Sequence, residues 1–349
     1  MIEPQSLYLS DATIAALEND LTYFKSKTVN SIGKLIKRII FNYCDNFERS
    51  NLELEHILSN SIKANTTIDN LDDSKIRDIA WSIRKSYFDS KLSLESHKKE
   101  TKPNRKSLRI NKNEEDTFDL IVSRIPKSSS LSDYLISIII GYLNEPKYER
   151  EQIIYKNQYD AICKAIDEKR PIYIRYESSK GKDKKLKVIP YSIKHSNEEL
   201  YNYLEYQYLD EEDNTHTSSI HLNKLISVTL LPESISSNSL AEESIVKFKR
   251  MEQNGIQFSI DSSDTYKVYL TNKGAILFNL RYLERPHPMK DNISMEGVYE
   301  FDCSEFQLIN YFAPFYENAI IIEPISTQKK VYERQKKLLK AYSDRLNNL

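Results

Sequence analysis

Glycine is scarce, with six in 349 residues. Neither G-x-G-x-x-G nor G-x-x-x-x-G-K-[ST] occurs, which excludes the two common glycine loops for nucleotide phosphates. H-E-x-x-H and G-x-S-x-G are also missing, so the usual marks of zinc peptidases and α/β-hydrolases are absent. There are only three cysteines, Cys44, Cys163 and Cys303, each more than a hundred residues from the next. They make neither a disulfide framework nor a zinc spacing and read as reduced core thiols of a cytoplasmic protein. Long apolar runs are lacking too. The longest, Leu135 to Ile140, is broken by Ser137, far short of the ~18–20 residues that a membrane span needs. The segment MIEPQSLYLS has no basic n-region or apolar h-region, so no secretory signal is expected. An excess of charge of one sign is missing as well: 50 Lys and Arg stand against 51 Asp and Glu, a formal −1. That excludes a uniformly basic nucleic-acid coat and makes the placement of local patches informative.

What is present suits a multidomain globular chain. Hydrophobic residues make up 40% and charged residues 29%, and the length predicts two or three domains. Tyrosine is abundant at 24 copies. It can fill a core, bond through its hydroxyl or stack on a base, so the count alone assigns no role.

A repeat occupies the N-terminal region. Leu7 and Leu9 alternate with Ser6, Tyr8 and Ser10, which predicts a strand. Ile14, Leu17, Leu21 and Phe24 follow at helical spacing. Ile32, Ile36, Ile39, Ile40 and Tyr43 then stand at offsets 0, 4, 7, 8 and 11. The pattern returns about a hundred residues later. Leu108 and Ile110 alternate with Ser107, Arg109 and Asn111, a first helix carries Phe118, Ile121, Val122 and Ile125, and Leu131, Leu135, Ile138, Ile139 and Tyr142 repeat the same five offsets. A strand–helix–helix unit of this size cannot bury its strand face alone. Antiparallel pairing of the two strands solves that.

Between the copies, residues 50–90 carry two helical stripes, Leu54, Ile57, Leu58 and Ile62, then Ile76, Ile79, Ile83 and Tyr87, with the lone Trp81 beside the second. Residues 95–112 hold seven Lys or Arg against two Glu. Such a run is a solvated segment, and one placed to supply phosphate contacts.

The repeat resembles the ribbon-helix-helix fold, here with both halves in one chain. That resemblance implies that outward ribbon side chains, Ser6, Tyr8 and Ser10 with Ser107, Arg109 and Asn111, face a nucleic-acid groove. Only Arg109 of these is basic, which is poor equipment for reading a duplex.

The middle of the chain reads as a helix (Tyr159, Ile162, Cys163, Ile166), the strand PIYIRYES, a loop from Lys180 to Lys187 with five Lys, and the strands KVIPYSI, YNYLEYQYL and SSIHLNKLISVTLL. Short strands with tight turns predict a small barrel. The order of pieces is similar to the WYL family. Its helix and I-x-Y strand match AIDEKRPIYIRY, its R-x-V-x-P stretch matches Lys187-Val188-Ile189-Pro190 with Lys for Arg and the Val-x-Pro order displaced by one, its name-giving triplet matches Asn202-Tyr203-Leu204 without the Trp, and its closing strand matches His221 to Leu225. The resemblance covers about residues 155–232 and implies an Sm-like barrel that binds nucleic acid or nucleotide-like ligands. Arg175, Lys185, Lys187, His221 and Lys224 are then candidates for a cationic face, with Tyr173, Tyr203 and Tyr206 for stacking. Phosphate neutralisation plus stacking is what single-stranded nucleic acid requires. The stretch Glu198 to Asp213 holds seven acids and no base and opposes nucleic acid on its own edge.

Pro232 to Ser244 reads as a linker. From Ile245 the chain alternates again (KFKR, IQFSIDSS, YKVYLT, AILFNLRY), and VYEFDCSEFQLINYFAPFYENAIIIEP predicts strand, short helix and strand before a basic last helix with Val331, Leu338, Leu339 and Tyr342. The resemblance implies a C-terminal extension that supports dimerisation.

The expected fold class is therefore α+β and multidomain: a ribbon-helix-helix domain at 1–147 (copies 5–45 and 106–145, insertion 50–90), a WYL barrel at 148–232 and a C-terminal domain at 245–349. His216 and His221 lack a companion Cys or carboxylate signature for zinc, and no nucleophile–base pair stands out, so a non-enzyme without metal or cofactor is expected. The overall order is similar to the WYL accessory proteins encoded beside the RNA-guided RNA nuclease of type VI-D CRISPR systems. That implies single-stranded RNA, a homodimer and the effector nuclease as partners, and no membrane. The other reading is a WYL-type transcription regulator that grips duplex DNA through the ribbon.

Overall fold

The computed structural model describes residues 4–65, 104–125, 130–178, 181–232, 240–262, 264–289 and 297–347, together with Asp72, Ser74, Lys75, Ile79, Ser82, Ile83 and Ser86. Trp81, the stripe residues Ile76 and Tyr87, Lys98, Lys99 and Lys102 of the basic run and most of the 232–244 linker lie outside the described residues. Helices and several antiparallel sheets make a mixed α+β chain. It divides into two compact units, 1–156 and 157–349.

The first unit opens with β1 (Gln5–Leu9), α1 (Asp11–Tyr23) and α2 (Ile32–Asn65), then β2 (Asn104–Leu108), α3 (Glu115–Ser123), α4 (Leu131–Asn144) and α5 (Lys147–Ile154). β1 and β2 pair antiparallel, Ser6 opposite Ser107 and Tyr8 opposite Arg105. Leu7, Leu9 and Leu108 are buried on the inner face of this ribbon. The predicted stripes, Ile36, Ile39 and Ile40 of α2 and Leu135, Ile138 and Ile139 of α4, are buried as well. Gly141 lies where α4 meets α2: a Cβ there would stand 2.8 Å from the Phe47 ring and 3.2 Å from that of Tyr43.

Three expectations change. β2 spans 104–108 rather than 107–111, because Asn111 leaves the strand as a helix cap. Its N–H donates to Glu114 Oε2 at 2.8 Å in a capping box. Ser10, 101 positions earlier, does the equivalent work, accepting from Thr13 N at 3.1 Å. Neither side chain remains on the ribbon face. Second, α2 is one helix of 34 residues where two were expected. Third, the unit extends nine residues past the boundary set at 147. Arg150 Nη1 donates to both Asp20 carboxylate oxygens, at 2.8 and 2.7 Å, and the Tyr155 hydroxyl donates to Phe24 O at 2.6 Å, so α5 belongs to the repeats.

The second unit begins with α6 (Lys156–Asp167) and five strands, β3 (Ile172–Glu177), β4 (Asp183–His195), β5 (Asn202–Leu209), β6 (Thr215–His221) and β7 (Leu225–Leu230). They form one sheet in the order β6-β5-β4-β3-β7. Its two edge strands are joined by a single 3₁₀ turn, Leu222–Lys224, so the sheet must curl until its edges meet at that corner. No ladder joins β6 to β7, and the expected barrel is open. β4 is long and bent. Its first half pairs with β3 and its second with β5, with a bulge between Pro190 and Ser192 where proline has no N–H for the ladder. The lysines expected in a loop are therefore strand residues: Lys184, Lys185 and Lys187 lie on β4.

Beyond residue 240 come α7 (Glu242–Asn254), β8 (Tyr266–Leu270), α8 (Asn272–Leu280), β9 (Val298–Phe301), α9 (Glu305–Phe312), β10 (Ala319–Glu323) and α10 (Ile325–Leu346). A three-stranded sheet, β10-β8-β9, packs its Val268 and Phe301 with Phe278, Leu308, Tyr311 and Phe312. Two segments expected as strands are helices. KFKR lies in α7, where Ser244, Phe248 and Met251 are buried at offsets 0, 4 and 7, and AILFNL lies in α8. IQFSIDSS, also expected to be a strand, carries none among its described residues, 256–262.

Candidate nucleic-acid interface

Directly opposite residues of an antiparallel pair share a face. The register sets Tyr173 of β3 opposite Lys187 of β4, and Arg175 opposite Lys185. On the other flank, Thr229 and Ser227 of β7 stand opposite the same two β3 residues. Ile172, Ile174 and Val188 are buried on the inner face, so the outer one carries an aromatic-basic rung, Tyr173 with Lys187, beside a doubly basic one, Arg175 with Lys185. Here the sequence reading of Arg175 as outward-facing agrees with the geometry. Arg175 is half exposed, and its Nη2 donates to Asp183 Oδ2 at 2.8 Å. Lys185 Nζ lies 4.1 Å from the centroid of the Tyr173 ring, a cation–π contact that holds ring and charge together. Lys187 is exposed on the same strand.

Followed along β4 past the bulge, this outer face reaches Gln207, Glu205 and Tyr203 of β5, opposite Ile189, Ser192 and Lys194. There it is covered. Phe248 of α7 stacks on Tyr191, centroids 4.4 Å apart and planes 11° apart. Ala241 N donates to Gln207 Oε1 at 2.9 Å, Lys194 pairs with Glu252, and Ser196 Oγ donates to Gln257 Oε1 at 2.9 Å. Tyr203 and Tyr206 are 3% and 5% exposed, so neither offers a ring to a base; both are core. The Tyr203 hydroxyl donates to Glu199 and bonds His221 Nε2 at 2.7 Å.

His221 does not belong to a cationic face either. Burial, helped by the Lys224 charge, lowers its pKa to about 4, so the ring is neutral near pH 7. Lys224 is exposed on the 3₁₀ turn beside it. Lys194, the register partner of Tyr203, lies seven residues along β4 from Lys187. Of the residues expected on a cationic face and as stacking rings, Tyr173, Arg175, Lys185 and Lys187 stand together on β3 and β4, and the buried Tyr203, Tyr206 and the neutral His221 do not join them.

In the first unit the ribbon's outer face carries Tyr8, 52% exposed, with Arg105 opposite. Arg105 Nε and Nη2 donate to Ser6 Oγ at 3.1 and 2.9 Å. Arg109 is exposed just past the end of β2. The sequence reading missed Arg105, counting it only in the basic run; the signal that finds it is its parity with Ser107 and Arg109.

A cavity of about 430 Å³ in the second unit is lined by Glu198, Glu199, Leu280, Arg281, Tyr282, Leu283 and Glu284. Three carboxylates against one guanidinium repel phosphate. Among the described residues no group of three His, Cys, Asp or Glu could hold a metal ion, and no helix is long and apolar enough to cross a membrane.

No protein-family profile and no curated protein matches the chain. A solved structure does: a CRISPR Cas-related protein, 23% identical, aligning over 99% of this chain and 95% of its own with a TM-score of 0.63. The two share a fold. The proteasome accessory factor B/C (PafBC) of Arthrobacter aurescens aligns over 65% of this chain and 35% of its own, at 17% identity and a TM-score of 0.26, too low to speak to the fold.

Proposed function

We propose that this chain is a non-catalytic accessory protein of a CRISPR system. In this reading it binds single-stranded RNA on the outer face of β3 and β4 and stimulates the RNA-guided RNA nuclease of a type VI-D system. One observation carries the binding role: Tyr173, Arg175, Lys185 and Lys187 share one uncovered sheet face in two adjacent rungs. Cations neutralise the phosphates while the tyrosine ring offers a stacking surface that needs no particular base. The fold shared with a CRISPR Cas-related protein supports the setting. The resemblances to WYL and ribbon-helix-helix proteins, with an open Sm-like sheet following two paired repeats, support the same reading. A cytoplasmic homodimer completes it. Its support is α10, where Ile325, Tyr332, Leu339 and Leu346 are all exposed at a seven-residue spacing, the repeat by which helices pair.

The test is a titration of labelled single-stranded RNA at several salt concentrations. Replacing Arg175, Lys185 and Lys187 together by Ala removes three phosphate contacts, so the slope of log affinity against log salt falls by roughly 2, about 0.7 per contact. Tyr173→Ala costs about 1–3 kcal/mol and leaves the slope nearly unchanged, because stacking releases no counterions. Intact binding in both variants defeats the assignment. The exposed Tyr8–Arg105 rung favours the second reading, a regulator of duplex DNA. If Tyr8→Ala with Arg105→Ala abolishes binding to duplex DNA while RNA does not bind at all, that reading stands instead.

A further inference from the structure

The cover over the second half of the sheet is held by groups that exchange protons. β6 is an edge strand, and its outward amides find side chains instead of another strand. Thr217 N donates to Asp261 Oδ1 at 3.0 Å, and Ser219 N to Ser259 Oγ at 3.0 Å. The Thr217 hydroxyl donates to Ile260 O at 2.8 Å. The segment after α7 thus runs along this edge and protects it from pairing elsewhere.

His216 fastens that segment. Its Nδ1 lies 2.6 Å from Asp261 Oδ2 and its Nε2 lies 3.0 Å from Asp210 Oδ2. Both neighbours are carboxylates, which only accept, so both ring nitrogens must carry hydrogen. The Tyr208 ring stacks on the imidazole, centroids 5.3 Å apart. From α7, Lys247 Nζ reaches Asp261 Oδ1 at 3.5 Å and Glu243 at 3.0 Å.

A second proton lies under α7. Glu205 is 0% exposed. Its Oε2 accepts from the Ser192 hydroxyl at 2.5 Å, and its Oε1 has no hydrogen-bond partner. Glu252 of α7, bonded to Lys194, faces it, with Tyr191 alongside. An ionised Glu205 would be a buried charge with one oxygen unsatisfied and the Glu252 carboxylate near it; burial outweighs the opposing Ser192 hydrogen bond and Lys194 charge.

We propose that residues 242–262 form a proton-linked strap, docked across the outer face of the sheet while His216 and Glu205 hold their protons and loosened as they lose them. Release would bare Gln207, Glu205 and the β6 edge, extending the open face from β3 and β4 across the sheet. The strap does not depend on what that face binds.

Both protons act in the same direction. The carboxylates around His216 raise its pKa above 6.5, so its contribution to docking is complete below 6.5 and is lost as pH climbs through the raised value. Burial raises Glu205 from 4.5 to about 7, so its ionisation weakens docking increasingly across that interval. Asp210 and Asp261 lie below the ordinary 3.8. Their contribution is present above 3.8 and is lost only as strong acid protonates them.

Amide exchange of the full chain over residues 215–221, corrected for intrinsic rates and followed from about pH 6 to about pH 9, tests the proposal. Protection should fall with pH by about tenfold for each pKa unit that separates the docked imidazole from the undocked one, which keeps Asp210 and loses Asp261. His216→Gln keeps the ring's bulk but not its charge; it should lower protection at pH 6 and flatten the profile. Glu205→Gln should raise protection above pH 7, the reverse of what an ordinary core substitution does. Should His216→Gln fail to fold, the Glu205→Gln profile and the nuclear magnetic resonance titration of the wild-type imidazole still decide. A flat wild-type profile, an unchanged slope in His216→Gln, an imidazole titrating at or below 6.5, or lower protection in Glu205→Gln would each overturn the strap.

Discussion

Arg150→Met should destabilise the first unit by about 3–5 kcal/mol, the loss expected when one partner of a buried ion pair is removed. Asp20 is fully buried between the repeats and accepts three hydrogen bonds, two from Arg150 Nη1 and one from the Tyr142 hydroxyl at 2.8 Å. Methionine fills much of the arginine's volume, so the loss comes chiefly from stranding the carboxylate. For a unit of 156 residues, about 2–4 °C per kcal/mol gives a fall in Tm of roughly 6–20 °C. The pH dependence separates charge from packing. Burial raises the Asp20 pKa above 3.8, and Arg150 opposes that rise; removing the arginine leaves burial unopposed. Below the wild type's own raised value the buried carboxyl is neutral in both proteins, so the variant's deficit should be small near pH 4. It should grow as pH rises through that value, because the wild-type carboxyl then ionises against Arg150 while the variant has no partner for the charge. Chemical denaturation at about pH 4 and about pH 7 reads this directly, and Asp20→Asn added to Arg150→Met should recover much of the loss. A deficit below about 1 kcal/mol, or an equal one at both pH values, would refute the reasoning.

Gly141→Ala places a methyl 2.8 Å from the Phe47 ring. Overpacking of about 1–3 kcal/mol outweighs the gain of roughly 1 kcal/mol in helix propensity, so thermal melting should show a lower Tm; a higher one would show that α2 yields at no cost. Leu339→Glu with Tyr342→Glu charges the exposed seam of α10 and should halve the mass seen by light scattering. A wild-type monomer, or a dimer that survives the change, would remove α10 from the interface.

The repeat was legible because its signal is spacing. Of five apolar positions at matching offsets in α2 and α4, the last four are buried in each helix and the first is half-buried in both, and Ser10 and Asn111 cap equivalent turns. Register was not legible. Leu108 and Ile110 are both buried, yet only Leu108 belongs to the strand, because the cap at Asn111 competes with the ladder. In the second unit, alternation misled where helices carry mixed patterns: Val246, Lys247, Phe248, Lys249 alternates like a strand, but burial at Ser244, Phe248 and Met251 follows a helix. The rung of Arg175 and Lys185 follows from period-two parity alone. The loss of Tyr203 as a stacking ring does not, because its ring packs on His221 across the β5–β6 ladder, and the face it shares with Gln207 is met by Ala241 from a later segment. No local pattern announces such a partner.

A ribbon made by two identical chains presents the same side chains twice, related by a dyad, and so meets targets that share that symmetry. Here Ser6 faces its counterpart Ser107, but the counterpart of Tyr8, 101 positions on, is Arg109, and Tyr8 stands across from Arg105. Joining the halves in one chain has let the two edges of this surface diverge. Whatever rests on it meets an aromatic side and a cationic side, can tell one direction along the ribbon from the other, and need not be palindromic.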